Sequence, residues 1–232
     1  MQKLPGLLVT GVTGYVGSHI LKQLLVGEGK GKYAIRCMVR SQKKLKPLYD
    51  NIGAELLAQV EFVNGDLLDQ TSIEAAVNGV QYIIHTASPV NQKPKRLEDV
   101  IEPAVKGVQH IMEAAKKFGV KRVVITSSAA AIVHPSEELP DVYTEEDWTD
   151  IKVNYVKNNA YYISKTLSER WAWDFIEKNQ SEGRQYPELA TICPSMCLGE
   201  VVASGDMTSP HTLMSLFYDV HNMYMLTVDV LV

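Results

Sequence analysis

Residues 7–20 read LLVTGVTGYVGSHI, and Gly11, Gly14 and Gly17 stand at every third position of this stretch. A short apolar run precedes the glycines and a helical pattern follows them, so they mark a turn between a strand and a helix. Glycine adopts backbone dihedral angles closed to other residues and admits close neighbours. The spacing differs from the G-x-G-x-x-G pattern, but amide groups at the helix start would still face an anion. The stretch predicts either a merely tight turn or a nucleotide-binding turn, and the flanking strand and helix favour the second.

The rest of the chain alternates short, nearly continuous apolar runs with longer helical patterns. Such runs are typical of strands buried on both faces of a parallel sheet, and the alternation is typical of a doubly wound sheet. We therefore predict an α/β fold of the Rossmann type, with a doubly wound parallel sheet. The predicted strands cover 7–10, 33–39, 60–64, 80–86, 120–126 and 189–192. The predicted helices cover 16–26, 71–79, 97–118 and 159–178, with Thr71 or Ser72 as the cap of the second.

Composition excludes several classes of partner. The chain has 232 residues, a net charge of -4 and no apolar run long enough to cross a bilayer, so neither nucleic acid nor a membrane is an expected partner. Cys37, Cys193 and Cys197 form neither a disulfide framework nor a zinc site, and the six histidines show no metal-ligand spacing. We expect a cytoplasmic protein without a metal.

Basic residues follow the second predicted strand, in MVRSQKKLK. A site selective for NAD usually has a carboxylate here, against the ribose 2′-hydroxyl. Arg40 occupies that position, and Lys44 follows closely. A guanidinium group can bond a phosphate through two parallel N–H groups, so this position favours the 2′-phosphate of NADP. A solvated, basic helix start would account for most of the lysines but explains Arg40 less well.

Acidic and small residues follow the third and fourth predicted strands. Asp66 in NGDLLD would accept a hydrogen bond from an adenine amine or cap the next helix, and the sequence leaves both open. Thr86 and Ala87 in HTASP are small enough for a cofactor to lie across the sheet edge. His85 is interpreted as a packing residue at the end of its strand.

A tyrosine and a lysine lie four residues apart in NNAYYISKTLSE, so Tyr161 and Lys165 share one face of a helix. An ammonium group beside a phenol stabilises the phenolate, which makes the phenol a usable proton donor near neutral pH. Tyr162 has no lysine at that spacing and is interpreted as a packing residue. Ser127 and Ser128 follow the fifth predicted strand, where a hydroxyl would hold a substrate carbonyl or merely close a turn.

The chain resembles the extended short-chain dehydrogenase/reductase superfamily in motifs that occur in the same order. The resemblance covers about residues 5–199. Within the NAD-dependent epimerase/dehydratase family, the chain most specifically resembles one branch. That branch contains dihydroflavonol reductase, cinnamoyl-CoA reductase and yeast-type methylglyoxal or carbonyl reductases. The motifs are TGVTGYVGSHI, MVRS, HTASPV, EPAVKGVQHIMEAAKKFGVKRVVITSSAAA and AYYISKTLSERWAWDF.

The resemblance implies an NADP-dependent oxidoreductase that reduces a small-molecule carbonyl substrate. It implies that Ser128, with Ser127 as second choice, orients the carbonyl group. Tyr161 would protonate the carbonyl oxygen while the nicotinamide of NADPH delivers hydride, and Lys165 would tune Tyr161 and hold the nicotinamide ribose. The implied cofactor site comprises Gly11, Thr13, Gly14, Tyr15, Val16, Arg40, Lys44, Asp66, Leu67, Thr86, Ala87, Ser127, Tyr161, Lys165, Pro194 and Ser195.

The sequence departs from the family pattern near its C-terminal end. Glu200 follows Gly199 where the family usually has proline, and most of the longer lobe that closes over the substrate is absent. We expect an NADP-binding domain with the catalytic residues over 1–199 and a truncated remnant of the substrate lobe over 200–232, with impaired or narrowed activity. The polar, acidic loop 134–158 is expected to be a functional surface segment.

Two alternatives stay open. A sugar-nucleotide epimerase or dehydratase would need a diphosphate-binding C-terminal lobe, which is not found. A non-catalytic NADP-binding regulatory or interaction protein would fit the missing lobe, although such regulators typically lose the tyrosine or lysine that is present here. By analogy with the family, a homodimer would pair through helices 97–118 and 159–178.

Overall fold

The computed structural model describes residues 4–88, 95–133, 142–183 and 187–203. The strands in this part of the chain are β1 (Gly6–Thr10), β2 (Ala34–Val39), β3 (Glu61–Asn64), β4 (Tyr82–His85), β5 (Arg122–Thr126) and β6 (Glu188–Ile192). They form a parallel sheet in the order β3-β2-β1-β4-β5-β6. This is the strand order of a doubly wound Rossmann sheet, which confirms the predicted fold class.

Helices cover the sheet on both faces. They are α1 (Tyr15–Val26), α2 (Lys46–Ile52), α3 (Ala54–Leu57), α4 (Gln70–Val77), α5 (Glu98–Lys117), α6 (Ile151–Val156) and α7 (Ala160–Ser181), with 3-10 turns at Gln42–Leu45 and Ala129–Ala131. The four predicted helices correspond to α1, α4, α5 and α7. The sequence pattern does not predict α2, α3 or α6, because each is too short to show a helical period.

The core consists of two apolar layers, one on each face of the sheet. Alternate residues of a strand point to opposite faces. Leu8 and Ile83 pack with α4, α5 and α7 on one face, whereas Val9 and Cys37 pack with α1, α2 and α3 on the other. Complete burial of a large aliphatic side chain such as Leu8 stabilises the fold by about 1.5–3 kcal/mol. Burial raises the pKa of the Cys37 thiol, so this cysteine is a neutral core residue.

The cap of α4 differs from the prediction. Asp69 caps the helix, because its carboxylate accepts a hydrogen bond from Thr71 N at 3.1 Å. Ser72 Oγ instead donates to Asp69 O at 2.9 Å. The helix is thus capped by Asp69 and not, as predicted from the sequence, by Thr71 or Ser72. Aspartate is among the preferred capping residues.

Two predicted segments fall partly or largely outside the described residues. The loop 134–158 contains α6, which begins after Asp150 because that side chain accepts hydrogen bonds from Lys152 N and Val153 N. Residues 134–141 of this loop lie outside the described part of the chain. Residues 204–232 lie outside it as well, so the division into 1–199 and 200–232 stays a prediction.

Candidate active site

The glycine turn lies at the switch point of the sheet, where β1 and β4 end side by side. Gly11 has a φ of 79°, a left-handed conformation that favours glycine. A Cβ atom at Gly11 would lie 2.5 Å from Thr86 Oγ1 and 2.7 Å from Ala87 N. A Cβ atom at Gly17 would lie 2.2 Å from Gly11 O. The two glycines therefore let α1 and the end of β4 pack directly against the turn.

The start of α1 presents backbone amide groups at the same edge of the sheet. Gly14 N donates to Gly11 O at 2.9 Å, which closes the turn, and Gly14 precedes a first helical turn without a side-chain cap from the described residues. Thr13 lies half-buried in the turn, and Tyr15 and Val16 open the helix. Uncapped amide groups at a helix start attract an anion.

Thr10 and His85 join the ends of β1 and β4. Thr10 Oγ1 and His85 Nδ1 are 2.8 Å apart, and Ala87 N donates to Thr10 Oγ1 at 3.2 Å. Thr86 Oγ1 donates to Thr10 O at 2.6 Å. Burial, with a smaller contribution from the Lys165 charge, lowers the pKa of His85 to about 3, so the imidazole is neutral. The apolar pattern of β4 gives no signal for the hydrogen bond between Thr10 and His85.

The predicted adenosine-side residues follow β2 and β3. Arg40 is exposed after β2, Lys44 is exposed on the next 3-10 turn, and within the described part of the chain neither forms a salt bridge. Asp66 is exposed after β3, and its carboxylate accepts from Leu68 N at 2.9 Å instead of capping α4. Leu67 is buried in the core. These residues share the carboxyl edge of the sheet with the glycine turn, but their described contacts do not reach the predicted catalytic residues.

The two predicted serines are buried after β5 and make different contacts. Ser128 Oγ accepts from Ala130 N at 3.1 Å and so caps the short 3-10 turn. Ser127 Oγ donates to the carboxylate of Glu169. Both contacts keep the serines at the carboxyl end of the strand, where ligands bind in this architecture.

The segment after β6 is hydrogen-bonded to the same strand end. Ser127 N donates to Ile192 O at 2.8 Å, and Ala129 N donates to Pro194 O at 2.9 Å. Ser195 follows as an exposed residue. The structure thus places Pro194 beside the serines, and the roles of Pro194 and Ser195 at the nicotinamide stay a prediction.

Lys165 is a half-buried residue at the end of β5, and its ammonium group is desolvated. Its Nζ donates to Thr126 O at 3.4 Å and lies 5.8 Å from the centre of the Tyr161 ring. Burial lowers the pKa of Lys165, while the negative charge of Glu169, and that of Cys193 when its thiol is ionised, act in the opposite direction. Tyr161 stands one helical turn earlier on α7 and is 49% exposed. The structure therefore brings the predicted tyrosine, lysine and serines to one end of β5.

Glu169 is a candidate that the sequence analysis does not single out. It is 5% exposed and continues the face of α7 that carries Tyr161 and Lys165, at the same spacing of four residues. Trp173 Nε1 donates to its Oε1 at 3.4 Å, and Cys193 Sγ donates to its Oε2 at 3.6 Å. Burial and the Glu169 carboxylate raise the pKa of Cys193 to about 11, so the thiol is protonated at neutral pH. The repeated spacing in AYYISKTLSERW is the signal that could have indicated Glu169.

No group of three or more metal-ligating side chains occurs among the described residues. Within those ranges, no helix has both the length and the apolar character that a bilayer span requires. Cys37, Cys193 and Cys197 are free thiols.

Comparison with known proteins agrees with the motifs. The model of the NAD dependent epimerase/dehydratase family matches residues 7–184. An anthocyanidin reductase of Vitis vinifera, described as (2S)-flavan-3-ol-forming, is 35% identical over 214 residues, which cover 90% of this chain and 60% of that protein. The chain thus spans about 60% of the length of this curated relative.

Two solved structures share the fold. Vestitone reductase from alfalfa (Medicago sativa L.) has a TM-score of 0.73 and 30% identity, and the match covers 90% of this chain and 63% of that chain. Yeast methylglyoxal/isovaleraldehyde reductase Gre2, solved as a complex with NADPH, has a TM-score of 0.72 and 28% identity, with 84% and 59% covered. These matches confirm the resemblance that the motifs indicate.

Proposed function

The chain belongs to the NAD dependent epimerase/dehydratase family, and from this premise we propose that it is an NADP-dependent oxidoreductase that reduces a carbonyl group to an alcohol. Its matched relatives are named as reductases. The position of Lys165 carries the proposal, because its ammonium group lies 3.4 Å from Thr126 O and 5.8 Å from the centre of the Tyr161 ring. A cation there stabilises the phenolate that Tyr161 becomes on giving up its proton.

The glycine turn fits a dinucleotide. The space at Gly11 and Gly17 is too small for a side chain, and the uncapped start of α1 suits a pyrophosphate. Arg40, exposed after β2, suits a 2′-phosphate, and Lys44 adds a second positive charge. The yeast relative was solved with NADPH. We therefore assign NADP to this chain, and NADPH when bound supplies the hydride. Further proposed contacts are Thr13, Gly14, Tyr15, Val16, Asp66, Leu67, Thr86, Ala87, Pro194 and Ser195.

The chain's own residues move and stabilise the proton. Tyr161 donates its phenolic proton to the carbonyl oxygen of the substrate, and Lys165 stabilises the phenolate that results. Ser128 orients the same oxygen through its hydroxyl. The contacts support Ser128 over Ser127, because Ser127 Oγ already donates to Glu169 whereas Ser128 Oγ accepts from Ala130 N and keeps its own proton available.

The proposed substrate is a small aldehyde or ketone. The names of the relatives give reductases of methylglyoxal, isovaleraldehyde, vestitone and anthocyanidin. Tyr161 is 49% exposed, so water would reach the proton donor and the substrate would be held loosely. We therefore expect impaired turnover, since misplacement by ~1 Å can cost on the order of 100-fold in rate.

The test is NADPH oxidation by the chain against a panel of aldehydes, ketones and acyl-CoA thioesters, with NADPH binding measured separately. We expect Tyr161→Phe to lower kcat by about 10²–10⁴-fold, because the phenylalanine has no proton to donate. Tyr162→Phe is the matched control, since its ring neighbours that of Tyr161 with the centres 6.4 Å apart. The control variant should keep the wild-type rate.

The outcomes separate the proposal from its alternative. If Tyr161→Phe reduces carbonyls as fast as the wild type, the assigned proton donor is wrong. If the wild type binds NADPH but reduces nothing in the panel, a regulatory nucleotide-binding protein replaces the reductase. NADPH binding with slow turnover supports the expected impairment, and turnover as fast as that of the related reductases contradicts it.

A further inference from the structure

We propose that Glu169 is a positioning residue of this site, whose carboxylate fixes the Ser127 hydroxyl and offsets the charge of the buried Lys165 ammonium group. This inference rests on the proposed function, in which Lys165 acts as a cation beside Tyr161. The inference assigns a role to the buried carboxylate of Glu169, which takes no part in the proton transfer itself.

The carboxylate of Glu169 receives hydrogen bonds from three parts of the fold. Ser127 Oγ donates to Oε2 from the end of β5. Trp173 Nε1 donates to Oε1 at 3.4 Å from the next turn of α7, and Cys193 Sγ donates to Oε2 at 3.6 Å from the segment after β6. Three donors from different parts of the fold hold the carboxylate in one place.

Lys165 and Glu169 line one small cavity between β4, β5, α5 and α7. Its volume is about 20 Å³, which leaves room for about one water molecule. One water cannot hydrate two ions, and a buried ion without a partner is strongly destabilising. The two side chains form no ion pair within 4.0 Å, so the carboxylate stabilises the ammonium group through its charge across this cavity.

Other titratable groups face Lys165, but they bring no negative charge at neutral pH. His85 is neutral because burial lowers its pKa to about 3, and Cys193 is a protonated thiol because its pKa is raised to about 11. The helix α5 contributes only apolar side chains to the cavity, Ala104 and Val108. Burial lowers the pKa of Lys165, and the charge of Glu169 is the largest of the effects that raise it. Among the described residues around Lys165, the compensating anion is thus Glu169.

Glu169 acts through other residues. It donates no group to the substrate. Its hydrogen bonds are with Ser127, which precedes Ser128 in the chain, and with Trp173 and Cys193. Loss of its charge would therefore leave the reacting atoms in place and change the protonation of Lys165. A merely structural carboxylate would not affect that protonation, so the protonation is the quantity to measure.

The first experiment follows the side-chain NMR signal of Lys165 in the full-length apoprotein over a pH titration, with Lys165→Arg used to assign the signal. We expect Glu169→Gln to move the midpoint of Lys165 to lower pH, and Glu169→Asp to retain most of the wild-type behaviour. Glu177→Gln makes the same chemical change at an exposed position of α7 and should leave the midpoint unchanged. Equal midpoints in Glu169→Gln and wild type would overturn the inference.

The second experiment measures unfolding free energies for Glu169→Gln, Lys165→Met and the double variant, and it stays decisive if the first substitution destabilises the fold. We expect the double variant to be more stable than the two single losses predict, because no unpaired charge stays buried. Strictly additive losses would overturn the pairing. Neither experiment uses turnover, so they can fail while the comparison of Tyr161→Phe with Tyr162→Phe still supports a reductase, and the reverse also holds.

Where the chain reduces a carbonyl, the pH profile is a third readout. The limb at high pH should move to lower pH in Glu169→Gln, with about a tenfold loss in rate for each pH unit above the new midpoint, because one pH unit in the titration of an essential group corresponds to a factor of ten. Glu177→Gln should keep the wild-type profile. A uniform loss across all pH values would point to a structural defect and contradict the inference.

Discussion

His85 and Lys165 are buried bases whose pKa values burial lowers, yet they have different partners. His85 Nδ1 lies 2.8 Å from the hydroxyl oxygen of Thr10, and a neutral partner suits an uncharged imidazole. Lys165 instead has the Glu169 carboxylate one helical turn away on α7. The histidine is thus a neutral group that joins β1 to β4, and the lysine can be kept as a cation.

The low pKa of His85 predicts a pH-dependent stability. The unfolded chain binds a proton at this residue below about pH 6.5, whereas the folded chain does so only near pH 3. The contribution of His85 is therefore complete above pH 6.5 and is lost as the pH falls, by up to about 1.4 kcal/mol per pH unit. Urea unfolding of wild type and His85→Gln at pH 5, 6 and 7 measures this slope.

The wild type should lose stability more steeply below pH 6.5 than His85→Gln. His19→Gln serves as the control, because it removes a histidine from the exposed side of α1 and should keep the wild-type slope. Identical slopes in wild type and His85→Gln would contradict a neutral, buried imidazole.

The helices α1 and α7 contribute to the site in different ways. α1 offers its backbone, because Gly14 starts the helix and Gly17 lies against the carbonyl of Gly11. α7 offers side chains, because Tyr161 and Lys165 recur on one face and Glu169 continues that face. Replacing a glycine of α1 therefore tests how the backbone packs, whereas replacing a side chain on that face of α7 tests the proposed proton transfer.

Two glycine variants should separate stability from binding. Gly17→Ala places a methyl group 2.2 Å from Gly11 O, a backbone atom that cannot move aside, so we expect a loss of about 3 kcal/mol in the free energy of unfolding. Gly14→Ala meets Gly11 O only at 3.3 Å and should cost under about 1 kcal/mol. Its methyl group should still weaken NADPH binding on the order of tenfold, by keeping the backbone from the phosphates.

Chemical denaturation and fluorescence titration with NADPH measure the two effects. A Gly17→Ala protein as stable as the wild type would show that α1 can move away from the turn. Unchanged NADPH affinity in Gly14→Ala would show that the turn does not hold the phosphates.

Cofactor binding should stabilise the whole molecule, because only the folded sheet assembles the site. NADPH at about 100 times its Kd is expected to add about 2.7 kcal/mol to the free energy of unfolding. Loss of charge-assisted hydrogen bonds in Arg40→Ser should raise the Kd about tenfold or more, which leaves about 1.4 kcal/mol at the same concentration. Arg122→Ser is the control, since Arg122 starts β5 at the opposite edge of the sheet.

Thermal unfolding with NADPH and NADH checks this expectation. NADH should stabilise wild type and Arg40→Ser equally, because it has no 2′-phosphate. If Arg40→Ser keeps the full effect of NADPH, another group recognises the 2′-phosphate.

The architecture could be predicted from sequence because β1 to β6 are continuous apolar runs separated by helices with a clear period. Candidate site residues could be proposed from sequence only where they follow a strand or repeat on a helix, as Gly11, Arg40 and Lys165 do. The contacts of Glu169 depend on β5 and the segment after β6 meeting α7, and no local pattern reports such a meeting. Asp69 likewise caps α4 because it lies within reach of Thr71 N, a competition among neighbouring side chains that composition does not decide.

The hydrogen bond from Ala129 N to Pro194 O has a consequence for the time at which the site matures. Gly11 leaves the ribosome long before Pro194 does, by roughly 10–40 s at synthesis rates of about 5–20 residues per second. In the last part of that interval, between the synthesis of Thr126 and that of Ile192, β5 has no partner on its β6 side, and the emerging chain exposes an open strand edge. We therefore expect the nascent chain to need protection by chaperones before it can bind a nucleotide.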